Sequence, residues 1–282
     1  MNDHLHIALS TNDSYADYAL VLATSILENT ADPRDVHLYL CTREPNTNVY
    51  KKMKLLVIKY GAVVEELYIP EATYRGVPAK DYKSLDAYSR LFAPRLVGEE
   101  VERLIYLDLD TLVRVDIRSL WDIDLSGHTL GAVRDIYYEQ QEGRSPLFNS
   151  GVLLIDVKRW KERKVEEQVL SEVRHGTGGI VALADQDDLN TVLHDDWQIL
   201  DPSWNLMCSD ILSGKIDYPE GKILHFNGGV IYKPDHILCI HPGKVEYFKY
   251  LQKARHSLHP IRFVPVWISK NLLSLSRLLM LQ

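Results

Sequence analysis

The sequence predicts an α/β domain built on a mostly parallel sheet that helices cover. Apolar, strand-like runs alternate with stretches of helical period over about the first two hundred residues, a pattern typical of parallel sheets. Runs such as LIYL at 104–107 show no polar alternation, as expected of a strand buried on both faces. The 282 residues, 46% hydrophobic and 25% charged, suffice for one large domain.

The strands and helices are predicted in alternation along the chain. The predicted strands are LHIALS, DVHLYLCT, AVVEELYIP, ERLIYLDL, TLGAVRD, LFNSGVLLIDV, WQILD and GKILHFNG. Helices are predicted at SYADYALVLATSILENT, NTNVYKKMKLLVIKYG, SLDAYSRLFAPRLV, IRSLWDID, KRWKERKVEEQVLSEVRHG and ADQDDLNTVLHDD. The third helix should be interrupted or end near Pro94, and the polar stretch IYYEQQEGRSP is predicted to be mobile. The first hundred or so residues therefore form a Rossmann-like half.

Composition and charge exclude several classes of function. The cysteines, Cys41, Cys208 and Cys239, are few and widely spaced, which indicates reduced thiols and neither a disulfide framework nor a zinc cluster. The net charge of −7 is the sum of −13 over residues 1–243 and +6 over residues 244–282, where seven Lys or Arg face one Glu. Such an acidic body excludes nucleic acid as a partner, whereas the basic tail suits an anionic surface.

The chain is predicted to divide into a domain at 1–243 and a basic amphipathic tail at 244–282. Within the tail, Ile268, Leu272, Leu275 and Leu279 share one helical face, as in helices that lie in a membrane interface. Packing on the body or on a partner subunit is an equal alternative. The N-terminus lacks the features of a secretory signal, and no apolar run could span a bilayer. The prediction is a cytoplasmic protein, with peripheral attachment to the inner face of the membrane as the alternative.

A D-x-D motif follows the apolar run LIYL. An isolated buried carboxylate is so costly that it normally pairs with a cation or binds a metal. If the strand continues through Asp110, Asp108 and Asp110 point to the same side. They lie at the carboxyl end of a strand, where open α/β sheets bind ligands. Mn²⁺ is therefore predicted, with Mg²⁺ as the alternative; strand-end residues turned to water, or Asx turns, are the competing interpretation.

His225 is the candidate third ligand. It ends the apolar strand KILH and precedes Gly228 and Gly229, small residues that let the backbone approach a phosphate. Imidazole suits Mn²⁺ better than Mg²⁺. A structural histidine is an equal alternative for this position.

Seven segments in series resemble the family-8 retaining glycosyltransferases, which include bacterial lipopolysaccharide galactosyltransferases and glucosyltransferases and glycogenin. They are IALSTNDSY, YSRL, LIYLDLDTLV, LGAVRD, FNSGVLLIDVKRW, DQDDLN and HFNGG with its later KP. The resemblance covers about residues 5 to 235 in matching order. It implies that residues 1–243 form a single nucleotide-sugar-binding domain of the GT-A type, a Rossmann-like fold with a mixed, mostly parallel sheet.

The resemblance also implies roles for individual residues. Asp108, Asp110 and His225 would hold Mn²⁺ on the diphosphate of a UDP-sugar. The nucleotide would lie against Ser10, Thr11, Asn12, Tyr15, Leu109, Gly228 and Lys233. The donor sugar and the acceptor would contact Arg90, Asp135, Asn149, Asp185 and Gln186, of which Asp185 and Gln186 are the catalytic candidates.

Two departures from the family pattern concern the nucleotide. Asn12 stands where many relatives have an aspartate that accepts the uracil N3 proton. The segment GVIY before Lys233 is two residues longer than the family spacing. An Asn carbonyl can also accept this proton, so UDP stays the expected donor while selectivity for the base is left open. The longer segment predicts either a different phosphate loop or a Lys233 that does not reach the diphosphate.

The resemblance implies a retaining transfer of a hexose from a UDP-sugar to a saccharide or glycoconjugate acceptor, in cell-surface polysaccharide, lipopolysaccharide or glycoprotein glycan synthesis. A cation stabilises the charge that gathers on departing UDP. Two alternatives stay open. The D-x-D motif also suits an aspartyl-phosphate phosphatase with Asp108 as nucleophile, which would place the motif on the first strand of the domain. A nucleotide-sugar-binding protein without turnover is the other.

Overall fold

The computed structural model describes residues 4–75, 77, 82–143, 146–175, 185–214 and 216–258. Its strands, in chain order, are β1 (Leu5–Ser10), β2 (Val36–Thr42), β3 (Val63–Tyr68), β4 (Arg103–Leu107), β5 (Thr111–Val113), β6 (Leu130–Arg134), β7 (Phe148–Asp156), β8 (Trp197–Ile199), β9 (Leu206–Met207) and β10 (Ile223–His225). The helices are α1 (Ala16–Asn29), α2 (Asn48–Val57), α3 (Tyr82–Leu96), α4 (Arg118–Trp121), α5 (Ile136–Glu142), α6 (Val157–Glu162), α7 (Val165–His175), α8 (Asp185–Val192), α9 (Cys208–Leu212) and α10 (Lys244–Leu258).

A seven-stranded sheet forms the centre of the fold, in the order β3-β2-β1-β4-β7-β6-β8. Strands β1 to β4 pair in parallel, and β8 pairs in parallel with β6. Among the described strands of this sheet, only β7 is reversed, since it pairs antiparallel with both β4 and β6. The predicted α/β class with a mixed, mostly parallel sheet is confirmed.

A second sheet of three short strands lies beyond the carboxyl end of β4. Strand β10 pairs antiparallel with β5 and parallel with β9. The predicted strand GKILHFNG thus contributes to this small sheet and not to the central one. This arrangement brings the end of β10 next to the D-x-D motif, because β5 begins immediately after that motif.

The core consists of apolar layers on both faces of the central sheet. On β1, Ile7 and Leu9 pack with Leu22 of α1 in one layer. The alternate residue Ala8 packs with Phe92 of α3 in the other layer. This period of two along the strand is the reason that β1 buries both its faces. Helix α3 continues past Pro94 and ends at Leu96.

The stretch IYYEQQEGRSP was expected to be mobile, and this prediction was wrong for its first part. Residues Ile136–Glu142 form α5. The Asp135 carboxylate accepts a hydrogen bond of 3.0 Å from the Tyr138 backbone N–H and so caps the helix. Gly143, with φ of 66°, ends it in the left-handed conformation that glycine favours.

The first fifteen residues of the predicted tail form α10, which packs on α1. The Tyr18 and Tyr247 rings lie 5.4 Å apart, and the Asn29 amide donates to the Tyr250 hydroxyl at 2.8 Å. The amphipathic pattern at 262–282 lies outside the described residues, so the division at 243 and the membrane attachment stay predictions. Within the described part of the chain, no helix combines the length and the apolar character needed to cross a membrane.

Candidate active site

The two aspartates of the D-x-D motif lie in a turn and not on a continuous strand. Strand β4 ends at Leu107, and the Thr111 backbone N–H donates to the Asp108 carbonyl at 3.1 Å. The Thr111 hydroxyl donates to the same carbonyl at 2.7 Å. The expectation that both side chains share one face of a strand was therefore wrong, but the turn brings Asp108 and Asp110 to the same place.

His225 joins the two aspartates through the small sheet. It pairs with Thr111 in the β5–β10 register, and the Phe226 N–H donates to the Asp110 carbonyl at 2.8 Å. His225 Nε2 consequently lies 3.3 Å from Asp110 Oδ1. One ligand atom from each of Asp108, Asp110 and His225 falls within 4.8 Å of the others. Two carboxylates and an imidazole are a suitable donor set for Mn²⁺.

A chain of amide hydrogen bonds orients the imidazole. The Gly151 N–H donates to Asn149 Oδ1 at 3.0 Å, and Asn205 Nδ2 donates to the same oxygen at 2.9 Å. Asn205 Oδ1 must then face His225, from whose Nδ1 it accepts a hydrogen bond of 2.8 Å. The other ring nitrogen, Nε2, is then the one that faces the carboxylates. Metal-binding histidines commonly donate their second ring N–H to an oxygen in this way.

Gly151 leaves the space in which the cluster forms. A Cβ atom at this position would lie 2.4 Å from His225 Cε1 and 2.9 Å from Asp108 Oδ2. Both distances are below any normal contact, and the neighbouring atoms are side chains held by the network above. The close approach of strand β7 to the D-x-D turn therefore requires glycine here.

Basic side chains compensate the carboxylates. Arg90, which is almost fully buried, donates to Asp108 Oδ1 at 3.0 Å and pairs with Asp185 Oδ2 at 2.7 Å. Lys233 pairs with Asp110 and donates to the Phe226 carbonyl at 2.9 Å. The longer GVIY segment thus does not prevent Lys233 from reaching the D-x-D motif.

Burial and these cations set the pKa values of two carboxyl groups. Burial alone would raise the pKa of Asp110, but His225 and Lys233 outweigh it and hold the pKa well below its usual range. Burial raises the pKa of Asp185 to about 6, although the Arg90 guanidinium opposes the shift. Asp185 is therefore ionised mainly above pH 6.

A cleft of about 1210 Å³ opens beside this cluster, at the carboxyl ends of β1 and β4. Nine of the predicted site residues line it: Ser10, Thr11, Asn12, Tyr15, Arg90, Asp108, Leu109, Asp110 and Lys233. The cleft exceeds the usual volume of a pocket for a drug-sized ligand, so it has room for a nucleotide with an attached group.

The remaining predicted residues are not among those that line the cleft. Asp135, Asn149 and Gln186 form a buried layer, in which Asn149 Nδ2 donates to Asp135 at 3.1 Å and the Ser150 N–H donates to Gln186 Oε1 at 3.1 Å. Asp185 adjoins them through Arg90. Gly228 turns the chain with φ of 93°, so its requirement for glycine comes from the backbone.

The sequence interpretation missed Gly151, Asn205 and Asp86. Gly151 lies inside the recognised segment FNSGVLLID, so the motif contained a signal for it. Asn205 and Asp86 carry no local signal, because their partners His225 and Asn12 lie far away in the sequence. The phosphatase alternative was wrong: it requires the motif on the first strand, whereas here the motif follows β4.

Comparisons with known proteins identify relatives of this chain. The chain is 31% identical over 271 residues to general stress protein A of Bacillus subtilis (strain 168), covering 89% of this chain and 94% of that protein. It is 28% identical over 265 residues to lipopolysaccharide 1,2-glucosyltransferase of Escherichia coli (strain K12), covering 87% and 76% respectively.

Two crystal structures of LgtC share the fold. An active-site mutant of LgtC aligns with a TM-score of 0.80 at 21% identity, and the galactosyltransferase LgtC in complex with donor and acceptor sugar analogs aligns with a TM-score of 0.77 at 22% identity. Each alignment covers 94% of this chain and 100% of the other. The model of the family described as glycosyl transferase family 8 matches residues 6–236. With most of its length inside that match, the chain belongs to glycosyl transferase family 8.

Proposed function

We propose that this glycosyltransferase moves a hexose from a UDP-sugar to a saccharide or glycoconjugate acceptor, with retention of anomeric configuration and with Mn²⁺ as cofactor, Mg²⁺ being the alternative. The observation that carries the proposal is the convergence of Asp108, Asp110 and His225 within 4.8 Å at the edge of a nucleotide-sized cleft. When bound there, the divalent ion would stabilise the charge on the departing diphosphate.

The residues of the chain supply the rest of the chemistry. Lys233, whose ammonium reaches the D-x-D motif, adds positive charge beside the leaving group. Arg90, held between Asp108 and Asp185, would position the donor hydroxyls. The Gln186 amide is a poor nucleophile and already accepts a hydrogen bond from Ser150. We therefore favour attack by the acceptor hydroxyl from the leaving-group side, with a phosphate oxygen taking its proton.

The relatives support a saccharide acceptor. One relative is named lipopolysaccharide 1,2-glucosyltransferase, and one of the LgtC structures contains donor and acceptor sugar analogs. We propose that this chain likewise acts in the synthesis of cell-surface polysaccharide, lipopolysaccharide or a glycoprotein glycan.

A UDP-release screen over several UDP-sugars in the presence of Mn²⁺ tests the function. We expect release with at least one donor, a loss of about two orders of magnitude in Asp110→Asn, and wild-type release in Asp35→Asn. Asp35 is the matched control because it also pairs with an arginine, Arg118, at 3.0 Å, but lies before β2, away from the cleft. Binding of UDP without release from any donor would instead support the non-catalytic alternative.

The tail is proposed to attach the enzyme to an anionic membrane at the cytoplasmic face. The support is the charge of +6 over residues 244–282 and the apolar face at 262–282. Cell fractionation of a variant truncated before Pro265 tests this. We expect it to leave the membrane fraction, whereas full membrane association of the truncated chain would exclude the tail as the anchor.

A further inference from the structure

We propose that Asp86 selects uracil by accepting the N3 proton of the base, the role that the family resemblance gives to position 12. The inference rests on the proposed use of a UDP-sugar. Asp86 lies on α3 and lines the cleft together with Ser10, Asn12 and Tyr15 at the tip of β1. It is thus a carboxylate among the residues that the family resemblance assigns to the nucleotide.

Asn12 is turned so that its amide nitrogen faces Asp86. Its Oδ1 accepts a hydrogen bond of 2.9 Å from the Ser14 backbone N–H, which can only donate. Its Nδ2 must therefore be the atom that donates to Asp86 Oδ2 at 2.6 Å. The Asn12 amide therefore hydrogen-bonds to the Ser14 backbone and to Asp86. The negative charge that many relatives carry at position 12 is carried here by Asp86.

Asp86 is held rigidly in this position. Arg43 Nε donates to Asp86 Oδ1 at 2.7 Å, and the Arg43 side chain is only 5% exposed. The Ser10 hydroxyl donates to the Asp86 carbonyl at 2.6 Å. Each carboxylate oxygen has two lone pairs, so each keeps one acceptor position after these contacts. The Asp86 side chain, 16% exposed, offers those positions to the cleft.

The chemistry of the pyrimidines determines which base this carboxylate accepts. Uracil carries a hydrogen on N3, which donates to a carboxylate, whereas N3 of cytosine has a lone pair, which the carboxylate repels. A carboxylate offers only acceptor atoms to the base, so it forms a hydrogen bond with N3 of uracil and none with N3 of cytosine. UDP should therefore bind in preference to CDP, and the preference should follow the carboxylate.

Calorimetric titration with UDP and CDP in the presence of Mn²⁺ tests the inference on four forms of the protein: wild type, Asp86→Asn, Asn12→Asp and the double variant Asn12→Asp/Asp86→Asn. For Asp86→Asn we expect UDP affinity to fall about tenfold to a hundredfold, with little change for CDP. Asn12→Asp, with two carboxylates in contact, should also bind UDP more weakly. The double variant moves the carboxylate to position 12 and should regain selectivity for UDP.

Thermal unfolding of each variant shows that it is folded, and Asp35→Asn serves as the matched control with wild-type affinities. If Asp86→Asn is unfolded, the double variant alone decides the question. A folded Asp86→Asn that keeps the wild-type ratio of UDP to CDP affinity, or a folded double variant without selectivity, would overturn the inference. Failure of the wild-type protein to bind UDP would instead refute the proposed function.

Discussion

At the scale of single residues, the candidate metal site depends on the lack of a side chain at Gly151 and on the side-chain amide of Asn205. Gly151 has no Cβ, which allows His225 and Asp108 to approach each other. Asn205, fully buried, holds the imidazole through Nδ1. Neither residue would itself contact the metal, and both determine where the ligand atoms lie.

Substitution of Gly151 by alanine should disrupt the cluster. The new Cβ would lie 2.4 Å from His225 Cε1, so the imidazole must move away from the aspartates. We expect Mn²⁺ affinity, measured by electron paramagnetic resonance in the presence of UDP, to fall at least about tenfold. Gly98→Ala is the comparison, because the nearest atoms to a Cβ at that position belong to the exposed side chain of Glu100, which can move aside. Unchanged Mn²⁺ affinity in a folded Gly151→Ala would contradict the steric account.

Asn205→Ala should weaken metal binding without removing a ligand. Loss of a hydrogen bond behind a metal-bound histidine costs about 10- to 100-fold in affinity. Asn205→Leu keeps a side chain of similar length but removes both hydrogen bonds, so it should lose Mn²⁺ affinity to the same extent in the same assay. Wild-type Mn²⁺ affinity in a folded Asn205→Leu would show that Asn205 acts only through packing.

At the scale of elements, α8 anchors the start of β7, where the sheet is irregular. The β6–β7 register shifts between Ala132 and Arg134. Asn190 of α8 accepts from the Phe148 N–H at 2.8 Å and donates to the Phe148 carbonyl at 2.9 Å. The Asn190 amide thus makes the hydrogen bonds to Phe148 that a neighbouring strand would otherwise make. Phe148 directly precedes the predicted site residue Asn149.

Asn190→Ala should therefore destabilise the fold. It leaves the buried N–H and C=O of Phe148 without these partners, and each unsatisfied group costs about 1 to 3 kcal/mol. We expect the free energy of unfolding in urea to fall by about 3 kcal/mol. Asn48→Ala, which removes an exposed amide contact with Asp13 at 2.8 Å, should change it by less than about 0.5 kcal/mol. Similar values for the two variants would contradict this role of Asn190.

At the scale of the whole molecule, the end of the central sheet opposite the cleft carries a cluster of histidines. His6 and His37 are paired on β1 and β2, and His6 Nδ1 lies 3.0 Å from the Tyr39 hydroxyl. Burial, followed by the charges of His37 and His4, lowers the pKa of His6 to about 4, against a weak opposing effect of Glu100. In the unfolded chain His6 binds a proton near its ordinary value of 6.5.

This cluster should make stability depend on pH. Between pH 6.5 and 4 the unfolded state binds more protons at His6 than the folded state does. The contribution of His6 to the free energy of unfolding is therefore full above pH 6.5 and is lost as the pH falls towards 4. The pKa values of Asp185 and Asp188 are raised to about 6, so the folded state binds more protons at these groups as the pH falls below 6. They therefore stabilise the folded state over the range in which His6 destabilises it. Because the effects overlap, only a comparison of variants isolates His6.

Both proteins should lose unfolding free energy between pH 7.5 and 4.5, but His6→Gln should lose about 1 to 2 kcal/mol less than wild type. This figure is lower than the full pKa shift would give, because the ring is partly exposed to solvent. Denaturant unfolding at several pH values measures the difference. His194→Gln, at an exposed position, should follow the wild-type curve. Parallel curves for wild type and His6→Gln would exclude His6 as a source of acid sensitivity.

The sequence by itself determined the α/β class, the membership in the family and the D-x-D motif, because hydrophobic period and short motifs are properties of neighbouring residues. It could not determine that Asp108 and Asp110 converge through a turn, or that the polar stretch after Asp135 becomes a helix, since both depend on local capping and pairing choices that several patterns allow. The sequence named His225 as a candidate ligand, but only the tertiary structure decided how it reaches the aspartates and that Asn205 and Asp86 join the site. Pairing of β10 with β5 brings His225 to Asp110, the approach of β7 requires glycine at 151, and α3 carries Asp86 to Asn12. Such contacts arise from long-range pairing, for which a single sequence contains no local signal.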